Sequence, residues 1–167
     1  MESFVAWLYH SPVSQALQHN EYWMWPLCET LHFAGLTVLI GVAGLFDLRL
    51  LGVIRRVPVA WVKDMMPLAM AGFAVNLVTG VIFLLAEPQQ YAFNKGWWLK
   101  ALFLALAGAN ALVFETSLGT TAEALRPGDP SPLSLKIVGA VSLTSWMAVL
   151  YFGRMLPYLY PNVNSGL

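Results

Sequence analysis

Residues 26–51 read PLCETLHFAGLTVLIGVAGLFDLRLL, and the interpretation of this run decides the fold. Its acidic, basic and imidazole groups are confined to Glu29, His32, Asp47 and Arg49. It exceeds the roughly 20 mostly apolar residues that carry a helix across the hydrocarbon core. Working outward, Met66 to Leu85, Trp97 to Leu118 and Ile137 to Leu156 repeat the pattern. The segments between them, Gly52 to Met65, Ala86 to Gly96 and Gly119 to Lys136, hold most of the charge and proline. These runs predict an all-α polytopic membrane protein, with four transmembrane helices in an antiparallel bundle forming a single membrane domain over residues 1–167.

Composition narrows the function classes. Hydrophobic residues make up 58% of the chain and charged residues 11%, against about 25% charged in soluble domains. A formal net charge of zero leaves no basic field for nucleic acid. The lone cysteine, Cys28, excludes an internal disulfide and a thiolate metal cluster.

Charge sets an expected orientation. Arg49, Arg55, Arg56, Lys63, Arg126 and Lys136 gather around the first and third connections, whereas Lys95, Lys100 and Arg154 lie toward the other side. The positive-inside rule then predicts cytoplasmic first and third connections, and both termini on the periplasmic side of a bacterial inner membrane. Trp23, Trp25, Trp97, Trp98, Tyr158 and Tyr160 mark that outer boundary. Ahead of the first span, residues 3–18 read as a short interfacial helix broken at Pro12, with Ser11 and Pro12 as a cap and first-turn pair. No basic n-region precedes it, so the first span is expected to act as its own insertion signal. Ser134 is a candidate cap for the last helix, and Gly35, Gly41, Gly44, Gly72, Gly80 and Gly108 are candidates for close helix packing.

Ionisable groups inside a span are costly and therefore mark candidate sites. Glu29 and His32, three residues apart, share a helix face below the Trp23 and Trp25 belt. Lys100, Arg154 and Glu87 are expected at the same depth, so these groups are candidates for one outer pocket. A single Glu-x-x-His is too little for a di-iron site, which needs two copies and further carboxylates. Haem b is the leading cofactor expectation, with His32 as an axial ligand and Arg154 and Lys100 pairing with the propionates. Candidates for the second axial position are His19, His10, Met155 and Met147. Copper or nickel held by His32, His19 and His10 is the alternative metal expectation, and a plain hydrogen bond from His32 to Glu29 or to a neighbouring helix is the structural one. At the other end, Asp47, Arg49 and Glu115 are expected to form an ion-pair network, with a proton route as the alternative. Asn76 and Asn110 are expected to hydrogen-bond between helices or to line a quinone or solute site, and Met65, Met66 and Met70 to pack rather than to bind Cu(I).

The run Glu29-Thr-Leu-His32-Phe-Ala-Gly35, followed by Gly41 and Asp47-Leu-Arg49-Leu-Leu-Gly52, with Pro67, Gly80, Tyr91, Asn94, Lys100 and Asn110 further on, resembles an uncharacterised bacterial family of small four-helix membrane proteins. More distantly it is similar to the membrane domain of copper-resistance protein D and to b-type cytochromes. That resemblance implies a haem or metal ligand at His32 and assigns no enzyme activity.

The expectation is a small integral membrane redox or redox-associated subunit that binds haem b near the outer face and passes electrons to or from a partner. The lipid bilayer and a protein partner in a complex or homo-oligomer are its expected surroundings. The alternatives are a cofactor-free assembly subunit of a larger membrane complex and a metal or solute carrier, the last disfavoured because no inverted halves or broken spans are visible.

Overall fold

Four helices long and apolar enough to cross a membrane account for most of the chain: Glu21–Leu51, Val59–Ala86, Lys95–Glu123 and Leu133–Leu159. The structure, a computed structural model, describes residues 2–159. Two short helices precede the first span, α1 (Glu2–Tyr9) and α2 (Pro12–His19). Ser11 separates them as expected: its extended backbone and its Oγ, which accepts from Ser14 N at 3.2 Å, start α2, and Pro12 occupies the first turn, where no N–H is needed. Tyr160 lies outside the described residues.

The first span, α3 (Glu21–Leu51), begins before Pro26 and runs through it, because the Trp23 and Trp25 turn is already helical. It ends at Gly52, whose φ of 82° supplies the left-handed cap that side chains resist. A short α4 (Val59–Asp64) leads into α5 (Met66–Ala86), and α6 (Pro88–Ala92) into α7 (Lys95–Val113). The third span then widens into a π-turn, Phe114–Leu118, before α8 (Gly119–Glu123), so it ends five residues beyond the expected Leu118. The last span, α9 (Leu133–Leu159), starts one residue before Ser134, which lies inside its first turn instead of capping it.

Short connections predict that sequential helices pack side by side, and α3 with α5 and α7 with α9 do so. The two hairpins join through α3 and α9, not through α5 and α7, whose seam is not substantially packed. The order across the bundle is therefore α5, α3, α9, α7. Backbone proximity explains this choice. A Cβ on Gly139 of α9 would stand 3.0 Å from Leu50 Cβ and 3.1 Å from the Asp47 carbonyl oxygen of α3. A Cβ on Gly35 of α3 would stand 2.8 Å from the Gly72 carbonyl oxygen of α5. Small residues at these crossings replace the hydrophobic drive that lipid does not provide. Gly41, Gly44 and Gly108, expected to do the same, face open space.

Two apolar clusters fill the bundle. Phe46, Leu50, Phe114, Leu135 and Val138 pack with Val59 and Val62 of α4, and Leu39, Val42 and Ala69 pack against Phe73 and Trp146. Asn110 Nδ2 donates to the Val138 carbonyl oxygen at 3.1 Å, tying α7 to α9 as expected, whereas Asn76 Nδ2 turns back to Gly72 O of its own helix at 2.9 Å. Met66 packs against both clusters, while Met70 is exposed.

The two ends differ in chemistry. Trp23, Trp25, Trp97 and Trp98 occupy one end, and Arg49, Arg55, Arg56 and Arg126 the other. At the arginine end the expected network of Asp47, Arg49 and Glu115 does not form. Arg49 is fully buried and donates to neutral oxygens: Val57 O at 2.8 Å, Arg126 O at 3.3 Å and Ser131 Oγ at 3.4 Å. Ser131 Oγ returns a bond to Arg49 O at 3.3 Å, and Gly128 N donates to Arg55 O at 2.8 Å. A planar guanidinium with donors in three directions can join two loops in a way that a carboxylate pair would not. Among the described residues the ion pair at this end is Lys63 with Glu123, joining α4 to α8. Arg49→Lys is expected to lower stability by about 2 kcal/mol, since a lysine cannot reach all three acceptors. Thermal unfolding in detergent, with proteolysis of the two loops, is the measurement; an unchanged midpoint would show that the clamp is dispensable.

Candidate functional site

His32 is the one histidine within a span, and its surroundings are built by α5. Thr79, Gly80 and Phe83 lie on the α5 face that meets α3, a face bared because Gly35 and Gly72 let the two backbones close. Thr79 Oγ1 lies 2.7 Å from His32 Nδ1 and 2.7 Å from the Val75 carbonyl oxygen. A hydroxyl has one hydrogen, and the carbonyl can only accept it. Thr79 Oγ1 therefore accepts from His32 Nδ1–H, and in the neutral ring the lone pair sits on Nε2. Among the described residues the ring's hydrogen bond is the one at Nδ1, and none is made at Nε2.

The ring is also held sideways. Its Cε1 lies over Gly80, where a Cβ would stand 3.9 Å away. Phe83 packs against it with centroids 5.7 Å apart, and Trp25 packs on Phe83 at 4.9 Å. Trp25 Nε1 donates to Glu29 Oε1 at 3.1 Å, so Glu29 is bound to the aromatic belt and does not bond His32. The hydrogen bond expected of His32 to a neighbouring helix is present, and its acceptor is Thr79, a residue that sequence reasoning did not single out.

Lys100 of α7 is half-buried and within electrostatic range of His32, with its Nζ 3.6 Å from the point a Cβ on Gly153 of α9 would occupy. Among the described residues the ammonium has no carboxylate partner. Arg154, next to Gly153, is exposed, and Met155 is half-buried. Glu87 and Tyr91 lie beyond the end of α5. Burial and then the nearby Glu21 push the Glu87 carboxyl above the usual carboxylate range. Burial, followed by Glu29 and Glu87, pushes the Tyr91 hydroxyl up to about 12, so it remains a neutral donor.

The structure thus sets Lys100 against Gly153 and within electrostatic range of His32, and sets Tyr91 within electrostatic range of Glu29 and Glu87. It does not gather His10, His19 and His32 into one group. Both are exposed, His10 after α1 and His19 at the end of α2, and no group of three or more His, Cys, Asp or Glu side chains able to hold a metal ion occurs among the described residues. A cavity of about 350 Å³ lies between α1 and α6, lined by Glu2, Val5, Ala6, Gln89 and Phe93, and contains none of the expected site residues.

The family model that matches residues 22–159 is described as a family of unknown function, DUF6644. The chain belongs to this family. No curated protein and no solved structure matches it. The DUF6644 match takes in all four spans, and with them His32, Thr79, Lys100, Arg154 and Met155, while α1, α2, His10 and His19 lie outside it.

For a flat macrocyclic cofactor, the donor set fits in three respects. A neutral imidazole fixed through Nδ1 presents Nε2 as a ligand, an arrangement characteristic of metal-bound histidine. An ammonium without a carboxylate partner and an exposed guanidinium stand toward the same end, suited to the carboxylates of such a group. The seam between α5 and α7 is not closed by helix packing.

Proposed function

We propose that this integral membrane DUF6644 protein is a small redox subunit in which His32 would hold haem b through Nε2. The observation that carries the proposal is the Thr79 hydrogen bond, which leaves Nε2 of His32 as a free lone pair. In this proposal Thr79 fixes the tautomer and the ring plane, Phe83 and Trp25 exclude water from one side, and Lys100 and Arg154 hold the propionates. Met155, half-buried on α9, would supply a second protein ligand. When bound, haem b supplies one-electron exchange at its iron. A protein partner at the aromatic end would be the other party to that exchange. The likeness to b-type cytochromes and to the membrane domain of copper-resistance protein D belongs to this proposal. So does the placement in a bacterial inner membrane with the arginine end cytoplasmic, which rests on six of the nine Lys and Arg residues.

Oxidised and dithionite-reduced spectra of the detergent-purified protein, with a pyridine haemochrome assay and metal analysis on the same sample, test the proposal. A stoichiometric b-type spectrum is expected. A colourless, metal-free preparation would overturn it in favour of a cofactor-free assembly subunit, and stoichiometric copper without haem would favour a metal site. Thr79→Val keeps the shape and removes the acceptor. Its expected effect is a 10- to 100-fold weaker retention of haem, in the range found for partners of metal-bound histidines, read by haem loss to an apo-globin scavenger.

A further inference from the structure

Asp47 is the most anomalous group in the bundle. It is 2% exposed, and among the described residues its Oδ2 has no hydrogen-bond partner. Most buried polar atoms are paired, so an orphan of this kind calls for a physical reason. Asp47 sits at the α3–α9 crossing, where its own carbonyl oxygen abuts Gly139 and its carboxyl lies beside Ser142.

Among the described residues no counter-ion approaches from any packed element. On α3 itself, Arg49 turns its guanidinium to the loop oxygens, with Arg55 and Asp129 around it. Helix α5 contains no ionisable residue at all. On α9 the facing turn from Gly139 to Ser142 has none, and Lys136 lies a turn nearer the arginine end. Lys63 of α4 is taken by Glu123, Asp64 is exposed, and Glu115 of the π-turn is exposed. An ionised carboxylate without a counter-ion in a dry interior is far more costly than the neutral acid.

We propose that Asp47 is a proton-binding site of the membrane domain, with its proton on the otherwise unpartnered oxygen. On release the Oδ2–H bond breaks and a water molecule takes the proton, leaving an anion that faces the Ser142 hydroxyl and no counter-ion. Release therefore requires water from the arginine end, about 6 Å away along α3 at 1.5 Å per residue, since the aromatic end is about 39 Å away. The site is independent of any cofactor at His32.

The chain has three aspartates, Asp47, Asp64 and Asp129, which makes the test specific. Asp64 is exposed, and Asp129 Oδ2 accepts from Arg126 N at 2.9 Å near the surface. The experiment is the infrared spectrum of the full chain in lipid bilayers at neutral pH, unlabelled and with aspartate ¹³C-labelled at the carboxyl carbon. The expected result is a protonated-carboxyl C=O band that shifts on labelling and is lost in Asp47→Asn. Absence of a label-sensitive band in the wild-type protein, or its survival in Asp47→Asn, would overturn the proposal. If Asp47→Asn does not assemble, the labelled wild type decides, because the band must be present there.

Discussion

If haem b is held as proposed, His32→Ala is expected to remove the reduced-minus-oxidised absorption of the purified protein completely while leaving the four spans assembled. The two halves of this outcome have separate causes. Loss of absorption follows because His10 and His19 are exposed and not gathered with His32, so neither replaces its Nε2. Retained assembly follows because the imidazole makes one hydrogen bond to another helix, and Thr79 keeps its bond to Val75 O at 2.7 Å without it. Interhelical hydrogen bonds in membranes contribute about 0.6 kcal/mol on average, too little to hold the α3–α5 contact. His19→Ala, made in parallel, should leave the spectrum unchanged if Met155 would supply the second ligand, and Met155→Leu should then alter the band positions. Full-strength absorbance in His32→Ala would remove His32 from the site.

Gly72→Ala is expected to be the most destabilising single methyl group added to the bundle. The new Cβ would stand 2.6 Å from the Gly35 carbonyl oxygen and 3.1 Å from Leu39 N, both backbone atoms that cannot rotate away. Overpacking in a yielding core costs about 1–3 kcal/mol; with backbone on both sides the expected loss is about 3 kcal/mol. The helices must separate, and Thr79 lies on the same α5 face about 10 Å further along, so the His32 hydrogen bond is stretched as well. Gly41→Ala is the matched control, since nothing lies within 4 Å of the added carbon, and removing a helical glycine is by itself favourable. Unfolding midpoints in detergent for both variants test the pair. Equal midpoints would mean that the Gly35–Gly72 approach does not hold α3 to α5.

Much of the architecture is legible in local sequence because membranes impose a length. The run from Pro26 to Leu51 must cross the hydrocarbon, and Ser11-Pro12 must break the segment before it. What stayed illegible depends on distances between residues far apart in the chain. Nothing local tells that α3 turns to α9, leaving α5 and α7 unclosed, because Gly139 is one of several glycines and only some of them meet a neighbouring backbone. Thr79 was missed for a similar reason. A threonine in a span satisfies itself on its own helix, as Thr30 and Thr37 do with Pro26 O and Phe33 O at 2.8 Å, so its type gives no sign that it also receives His32. The expected pairing of Asp47 with Arg49 failed on direction. Residues two apart on a helix point away from each other, and Arg49 reaches loops that a one-dimensional reading places far away.

Arg49 also bears on the order in which the chain is made. Two of its acceptors lie 77 and 82 residues downstream, at Arg126 and Ser131. Until the third connection has been synthesised, the guanidinium at the end of the first span lacks two of its three partners and must remain hydrated. The first hairpin therefore cannot bury its arginine end alone. That end is completed only when the second hairpin arrives, and a chain truncated before Arg126 would leave Arg49 with Val57 O alone of its three acceptors.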